Sequence, residues 1–374
     1  MRYCSNCVFP AVAATPLTFD ENGVCSGCRS SIAKHETDWE HRLTLFKQLC
    51  DEYRTNDNYD CVLPVSGGKD SYFAAHVCKE LGMNALMVTY HGNNYLPEGE
   101  DNLNQMKDVF GFDHIIFRPS TDTLIRLNRA GFIHTGDMNW HCHAGIFTYP
   151  MQIAVKYRIP LVFWGDHGFS EQGGMYSLSD FFEYTKKDRY ENCLHGFDWF
   201  DFENKEGLTR KQLQFLIYPD DEEVLDVGLR GIFLSNYFPY DGEHHAAIAE
   251  EHYKWKAAER DFERTFRKIS NLDDMHENGI HDYMKFIKLG YGRGTDHSNY
   301  AIRDGKMTRE EGIEMVKKYD HVKSSDLQRW LNYVGMEEAE FDLIADRFRD
   351  PRVWSKEGDF WVKDTIWGER KAYA

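Results

Sequence analysis

Hydrophobic and polar positions alternate between two periods over the first half of the chain. Residues 60–65 (DCVLPV), 85–90 (ALMVTY), 114–118 (HIIFR) and 160–165 (PLVFWG) are apolar runs of strand length. Stretches of helix length lie between them. Within residues 70–81, Phe73, Val77 and Leu81 recur at i, i+4 and i+8, which lays one helix face on a sheet, and Gly82 follows as a stop. Helices are also expected over 98–110, 121–130 and 144–158. This alternation predicts a parallel sheet covered by helices on both faces.

The flanks read differently. Residues 30–56 predict one helix ahead of the first strand. Beyond 168 the period is lost in aromatic and charged segments such as FFEYTKKDRYENCLHGFDWFDFEN. A further strand is expected at 231–235, and helices over 245–267, 308–319 and 324–347. Thr308 and Glu311 form a T-x-x-E capping box. Gly290-Tyr291-Gly292-Arg293-Gly294 reads as a glycine-rich loop, either packing or facing a substrate through Arg293. The expected divisions are 1–35, 57–170 and a mostly helical 171–374.

Composition narrows the class. Mean hydropathy is −0.61 and no apolar run reaches 18 residues, which argues against a membrane-spanning helix. The first residues lack the pattern of a secretory signal, so a cytoplasmic setting is expected. A net charge of −17 disfavours nucleic acid as a partner.

Four of the nine cysteines, Cys4, Cys7, Cys25 and Cys28, form C-x2-C-x17-C-x2-C. That spacing suits a structural zinc ribbon, in which four thiolates close the coordination sphere. Unligated thiols or two disulfides are the alternatives, and disulfides need an oxidising compartment. The remaining five cysteines read as small buried hydrophobes.

The strand ending at Val65 runs into Ser66-Gly67-Gly68-Lys69-Asp70-Ser71 and then a helix. Two glycines, a helix N-terminus, a lysine and two hydroxyls converge on an anion. The alternative is a plain glycine turn with a capping Asp. The spacing is not that of a Walker loop. Ligands of such sheets sit at the carboxyl ends of strands. That brings in His91-Gly92-Asn93-Asn94, Arg118, Gly165-Asp166-His167 and Asn139-Trp140-His141-Cys142-His143, each alternatively an ordinary polar loop.

SGGKDS resembles the loop of the PP-loop ATP pyrophosphatases, whose core is adenine nucleotide alpha hydrolase-like (HUP). Over nearly its full length the chain resembles the N-acetyl sugar amidotransferases of surface-polysaccharide and flagellar sugar pathways. The shared features are the Cys4–Cys28 spacing, PVSGGKDS, WGDH at 164–167 and KLGYGRGTDHSNYAIRDGKMTREEGIEMVKKYD from Lys288 to Asp320. The resemblance implies an enzyme that uses ATP and Mg²⁺, with structural Zn²⁺, and forms AMP and pyrophosphate. It converts the acetamido group of a nucleotide sugar into an acetamidino group. Lys69, Asp70 and Ser71 are the expected catalytic residues. Ser66, Gly67, Gly68, Asn93, Asn94 and Asp166 join them around ATP. His143, His167, Arg293 and Asp296 are expected at the sugar.

Ammonia has no evident source in the chain. Residue 2 is Arg rather than a nucleophilic Cys, and no G-x-C-x-G elbow occurs. The resemblance implies a separate glutaminase subunit with a cyclase-like barrel subunit, similar to the histidine-pathway pair. A tRNA-modifying sulfur transferase is the main rival. Thiolases of that kind carry C-x-x-C where this chain has Asn139 and Cys142. A nucleotide-binding module without catalysis is the third reading.

Overall fold

The computed structural model describes residues 1–269 and 276–373. Its centre is a six-stranded sheet of β1 (Cys61–Pro64), β2 (Ala85–Tyr90), β3 (His114–Phe117), β4 (Leu161–Trp164), β5 (Glu183–Tyr184) and β6 (Arg230–Phe233). The order is β3-β2-β1-β4-β6-β5. Every neighbouring pair is parallel except β5 with β6. The direction of winding reverses between β1 and β4, which creates a crevice at the carboxyl ends of those strands.

Period-two alternation explains the two cores. Leu63, Met87 and Phe163 face one side, where they meet Phe73 and Val77 of α3 (Lys69–Glu80) and Phe46 of α2 (Trp39–Tyr53). Val62, Leu86, Val88 and Val162 face the other side and pack on Met151, Ile153 and Ala154. Those three belong to the helix Trp140–Tyr157. The expected α/β layering and parallel sheet are therefore present, and the strand expected at 231–235 is β6. Strands β5 and β6 carry the same sheet past residue 170.

Several boundaries differ from expectation. The helix expected over 30–56 is two, Ser26–Glu36 and α2, because Thr37 is extended and Asp38 caps the second by accepting from the His41 N–H at 3.0 Å. The helix expected over 245–267 is Gly242–Tyr253. Lys254 turns left-handed (φ +58°), and Trp255 folds back so that its Nε1–H donates to the Gly67 carbonyl at 3.0 Å. The 324–347 stretch is two helices, Leu327–Val334 and Glu338–Asp346, parted at Gly335 (φ +65°). Arg293 lies not in a loop but in the first turn of the helix Arg293–Arg303. The helix Asn278–Leu289 was not anticipated. Neither was the antiparallel meander of β7 (Ser355–Glu357), β8 (Phe360–Asp364) and β9 (Arg370–Tyr373). Its strands are short and largely exposed, with only weak alternation to mark them.

The C-terminal helices close on the core through a second apolar cluster. Phe132 stacks on Phe341 with centroids 4.7 Å apart, and Trp330 meets both edge-on. The N-terminal ribbon docks on the helices Arg293–Arg303 and Arg309–Tyr319. The Val8 N–H donates to Asn299 Oδ1 at 3.1 Å, and the Arg309 guanidinium donates to the carbonyls of Cys7 and Cys4 at 3.2 and 3.3 Å. No helix among the described residues is long and apolar enough to cross a membrane.

Candidate active site at the phosphate loop

The loop between β1 and α3 is shaped by steric need. Gly67 has φ +92°, and a Cβ there would stand 2.9 Å from the Leu103 backbone nitrogen. Only glycine satisfies both demands. The serine hydroxyls brace the loop from within. Ser71 Oγ accepts from the Ser66 N–H at 2.9 Å, and Ser66 Oγ accepts from the Gly68 N–H at 3.3 Å. Gly68 is the N-cap of α3 and offers no capping side chain. The helix start thus retains backbone donors and partial positive charge for a ligand anion.

Lys69 is 3% exposed, and its ammonium lies 2.9 Å from Asp70 Oδ2. The other oxygen of Asp70 is 2.7 Å from His245 Nδ1. Burial works against the Asp70 carboxylate, but Lys69 and His245 outweigh it and hold the carboxyl well below the usual range. His245 lies flat on Phe73, with ring centroids 3.9 Å apart. Asp166 faces the same cleft from the end of β4, together with Ser235 and Tyr240. Burial first, then the charge of Asp70, pushes the Asp166 carboxyl up to about 7. His245 was not singled out by the sequence. The expected helix at 245–267 contained it, but nothing local marked it as the partner of Asp70.

The rim beyond β2 is equally built. Asn93 and Asn94 are both left-handed, at φ +67° and +57°. The Asn93 N–H donates to His91 Nδ1 at 3.0 Å, and Asn94 Nδ2 donates to Glu277. Arg118 reaches Glu100 at 3.0 Å, and Glu100 in turn meets His91 Nε2 at 2.9 Å. The Asn94–Glu277 contact ties the loop after β2 to the C-terminal region.

The residues expected at the sugar fall into separate settings. His167 is buried, caps the helix Gly168–Gly173 and lies 3.4 Å from Asp188. Arg293 and Asp296 belong to a buried charge network. Arg293 donates to Asp282 Oδ1 through Nη2 at 2.7 Å and Nε at 3.0 Å, and its Nη1 is 3.2 Å from Asp296. Lys285 pairs with Asp296, and Arg264 stands 2.9 Å from Asp282. His143 lies 3.4 Å from Asp137, which borders that network through His281.

Cys4, Cys7, Cys25 and Cys28 converge as expected. The Cys4–Cys28 and Cys7–Cys25 sulfurs are 4.0 and 3.8 Å apart. Tetrahedral zinc with Zn–S bonds of about 2.3 Å needs an S···S edge of about 3.8 Å. The four buried sulfurs therefore fit a structural zinc ion.

A glycine-bearing loop at the switch point of a mostly parallel sheet, a four-cysteine cluster and a helical C-terminal region define an α/β protein. Residues 248–366 match the family model described as "LPS biosynthesis protein WbpG-like, C-terminal domain". Over that region the chain is similar to the WbpG-like family, and the match supports a grouping with the sugar amidotransferases. No curated protein matches the chain.

Proposed function

We propose that the chain is an ATP-dependent N-acetyl sugar amidotransferase of lipopolysaccharide or related surface-glycan biosynthesis. One observation carries the reading: a phosphate-type loop, with Asp70 and Asp166 lining one cleft and Lys69 paired to Asp70, is joined to a WbpG-like C-terminal domain.

An unactivated amide oxygen is a poor leaving group at neutral pH. Transfer of AMP to the acetamido oxygen makes it a good one, and ammonia then displaces AMP to leave an amidine. Lys69 and the N–H groups that open α3 stabilise charge on the departing pyrophosphate. Ser66 and Ser71 hold that loop in shape. Asn93 and Asn94 lie on the neighbouring rim, suited to the nucleotide. Asp70 and Asp166 present carboxylate oxygens to one cleft, a donor set that fits Mg²⁺. When bound, that ion neutralises phosphate charge. His245 holds Asp70 in place from behind. His143, His167, Arg293 and Asp296 are proposed for the sugar side, with Arg293 and Asp296 acting through their buried network.

Ammonia is proposed to come from a glutaminase and cyclase-like barrel pair. The reading is tested by incubating the chain with candidate nucleotide sugars, ATP, Mg²⁺ and ammonium. AMP and pyrophosphate should form only with the correct sugar, whose mass should fall by about one unit as O is replaced by NH. AMP formation that ignores every nucleotide sugar, or that instead requires tRNA, overturns it.

A further inference from the structure

We propose that Asp137, His143 and His281 hold a divalent transition-metal ion with positions open to an outside ligand. This site is distinct from the cysteine cluster, and the proposal does not depend on the adenylation chemistry.

Two segments bring the ligands together. Asp137 precedes the helix Trp140–Tyr157, His143 lies in its first turn, and His281 lies in the first turn of Asn278–Leu289. One donor atom from each stands within 4.8 Å of the others. His143 Nδ1 is 3.4 Å from Asp137 Oδ2, and His281 Nε2 is 3.8 Å from Asp137 Oδ1. A metal with bonds of about 2.0–2.2 Å to nitrogen and oxygen sets donor edges of about 3.3–3.6 Å. The His143–Asp137 separation already lies in that range, and the His281–Asp137 separation needs only a slight contraction to reach it.

The surroundings fit a metal site better than a simple ion-pair cluster. His281 Nδ1 lies 3.7 Å from Asp282 Oδ1 and makes no hydrogen bond. The nearby carboxylate favours a proton on Nδ1 by its charge, which leaves Nε2, the nitrogen facing Asp137, to bind a metal. Asp282 is itself anchored by Arg293 and Arg264. The Asn139 N–H donates to Asp137 Oδ1 at 2.9 Å and orients that carboxylate. Asn139 Nδ2 also donates to Asn278 Oδ1 at 3.3 Å, joining the two helix starts that carry the histidines. Asp137 is buried at 7% exposure, whereas His143 and His281 keep 33% and 21%. An outside oxygen donor therefore reaches the histidine side.

Two imidazoles and one carboxylate suit zinc or a neighbouring first-row ion over magnesium or calcium. Three protein ligands leave a catalytic-type open site, unlike the closed four-thiolate cluster. The alternative is that protonated histidines and nearby Lys288 simply neutralise Asp137.

Metal content decides between them. Full-length protein saturated with zinc and then desalted should carry two equivalents. His143→Ala and His281→Ala should each carry one. Stoichiometric Co²⁺ loading gives a readout that survives a poorly folding variant. The wild-type cysteine site gives intense thiolate charge-transfer bands, and a second equivalent should add only weak d–d bands of nitrogen and oxygen ligation. A single equivalent in saturated wild-type protein overturns the proposal. So does a second equivalent that persists in both folded histidine variants, or one that adds only thiolate bands.

Discussion

His245 Nδ1 stands 2.7 Å from Asp70 Oδ1, across 175 residues of sequence. A helix far downstream thereby fixes the acidic residue of the phosphate loop. Gly242, at the start of that helix, lies so close to Lys69 that a Cβ would come within 2.9 Å of Lys69 Cε. The loop's two charged residues are thus both bounded by the segment around 242–245.

This contact separates a positioning residue from the residue it positions. Asp70→Ala should lower AMP formation on the order of 10²-fold, with Lys69→Ala comparable. His245→Ala should cost less, roughly 10-fold, because the carboxylate remains but loses its orientation. The double variant Asp70→Ala/His245→Ala should be no worse than Asp70→Ala alone. Rates multiplying in the double variant would show that His245 acts independently of Asp70.

The cysteine cluster should matter for folding before it matters for turnover. Replacing Cys4, Cys7, Cys25 or Cys28 with Ser should lower metal content and thermal stability together. Arg309 and Asn299 bind the ribbon, so the loss should spread to the C-terminal helices and appear as increased hydrogen exchange there. A folded variant with full metal and no activity would reverse the assignment.

Glu277 gives a pH signature. It is 4% exposed, its Oε2 has no hydrogen-bond partner, and burial pushes its carboxyl up to about 7. The folded state therefore binds a proton that the unfolded state has released between about pH 4.5 and 7. Wild-type stability should fall as pH rises through that window. Glu277→Gln removes the charge, so its advantage over wild type should grow across the window and level off above it. The gain should be on the order of 2–3 kcal/mol. Denaturant melts of both proteins at pH 5 and pH 8 measure it, and a difference that stays constant with pH contradicts the assignment.

Ammonia supply separates the chain from its proposed partners. Glutamine alone should not support the reaction, whereas concentrated ammonium should. The nucleophile is neutral NH₃, so the ammonium-driven rate should climb with pH. Adding the glutaminase partner should make glutamine effective and flatten that dependence. Steady-state rates across pH with each nitrogen source check both statements, and glutamine hydrolysis by the chain alone contradicts them.

What the sequence made legible was local. The candidate phosphate loop stands out because strand, two glycines, lysine and helix start are contiguous, and the cysteines because their spacing is short. Strands β1, β2 and β4 stand out because burial on both faces leaves them largely apolar, and the half-buried edge strand β3 still carries an apolar run. Distant partnerships left no such trace. Nothing near residue 245 signals Asp70, and nothing near Trp255 signals that its indole will donate to Gly67. Arg293 shows the opposite error, since a glycine-rich stretch read as a loop supplies a helix start whose arginine is held by Asp282. The meander of β7, β8 and β9 escaped because its exposed strands lack an apolar face.

The docking of the ribbon also sets an order of events during synthesis. Arg309 supplies donors to the Cys7 carbonyl from 302 positions further along the chain. At about 5–20 residues per second, a nascent ribbon waits roughly 15–60 s for that arginine to be made. Four nearby thiols are in place to take up the proposed zinc long before then. The ribbon can thus exist as a small metal-held knot on the growing chain, with its docking face still bare, and its seating against the C-terminal helices becomes one of the last steps of maturation.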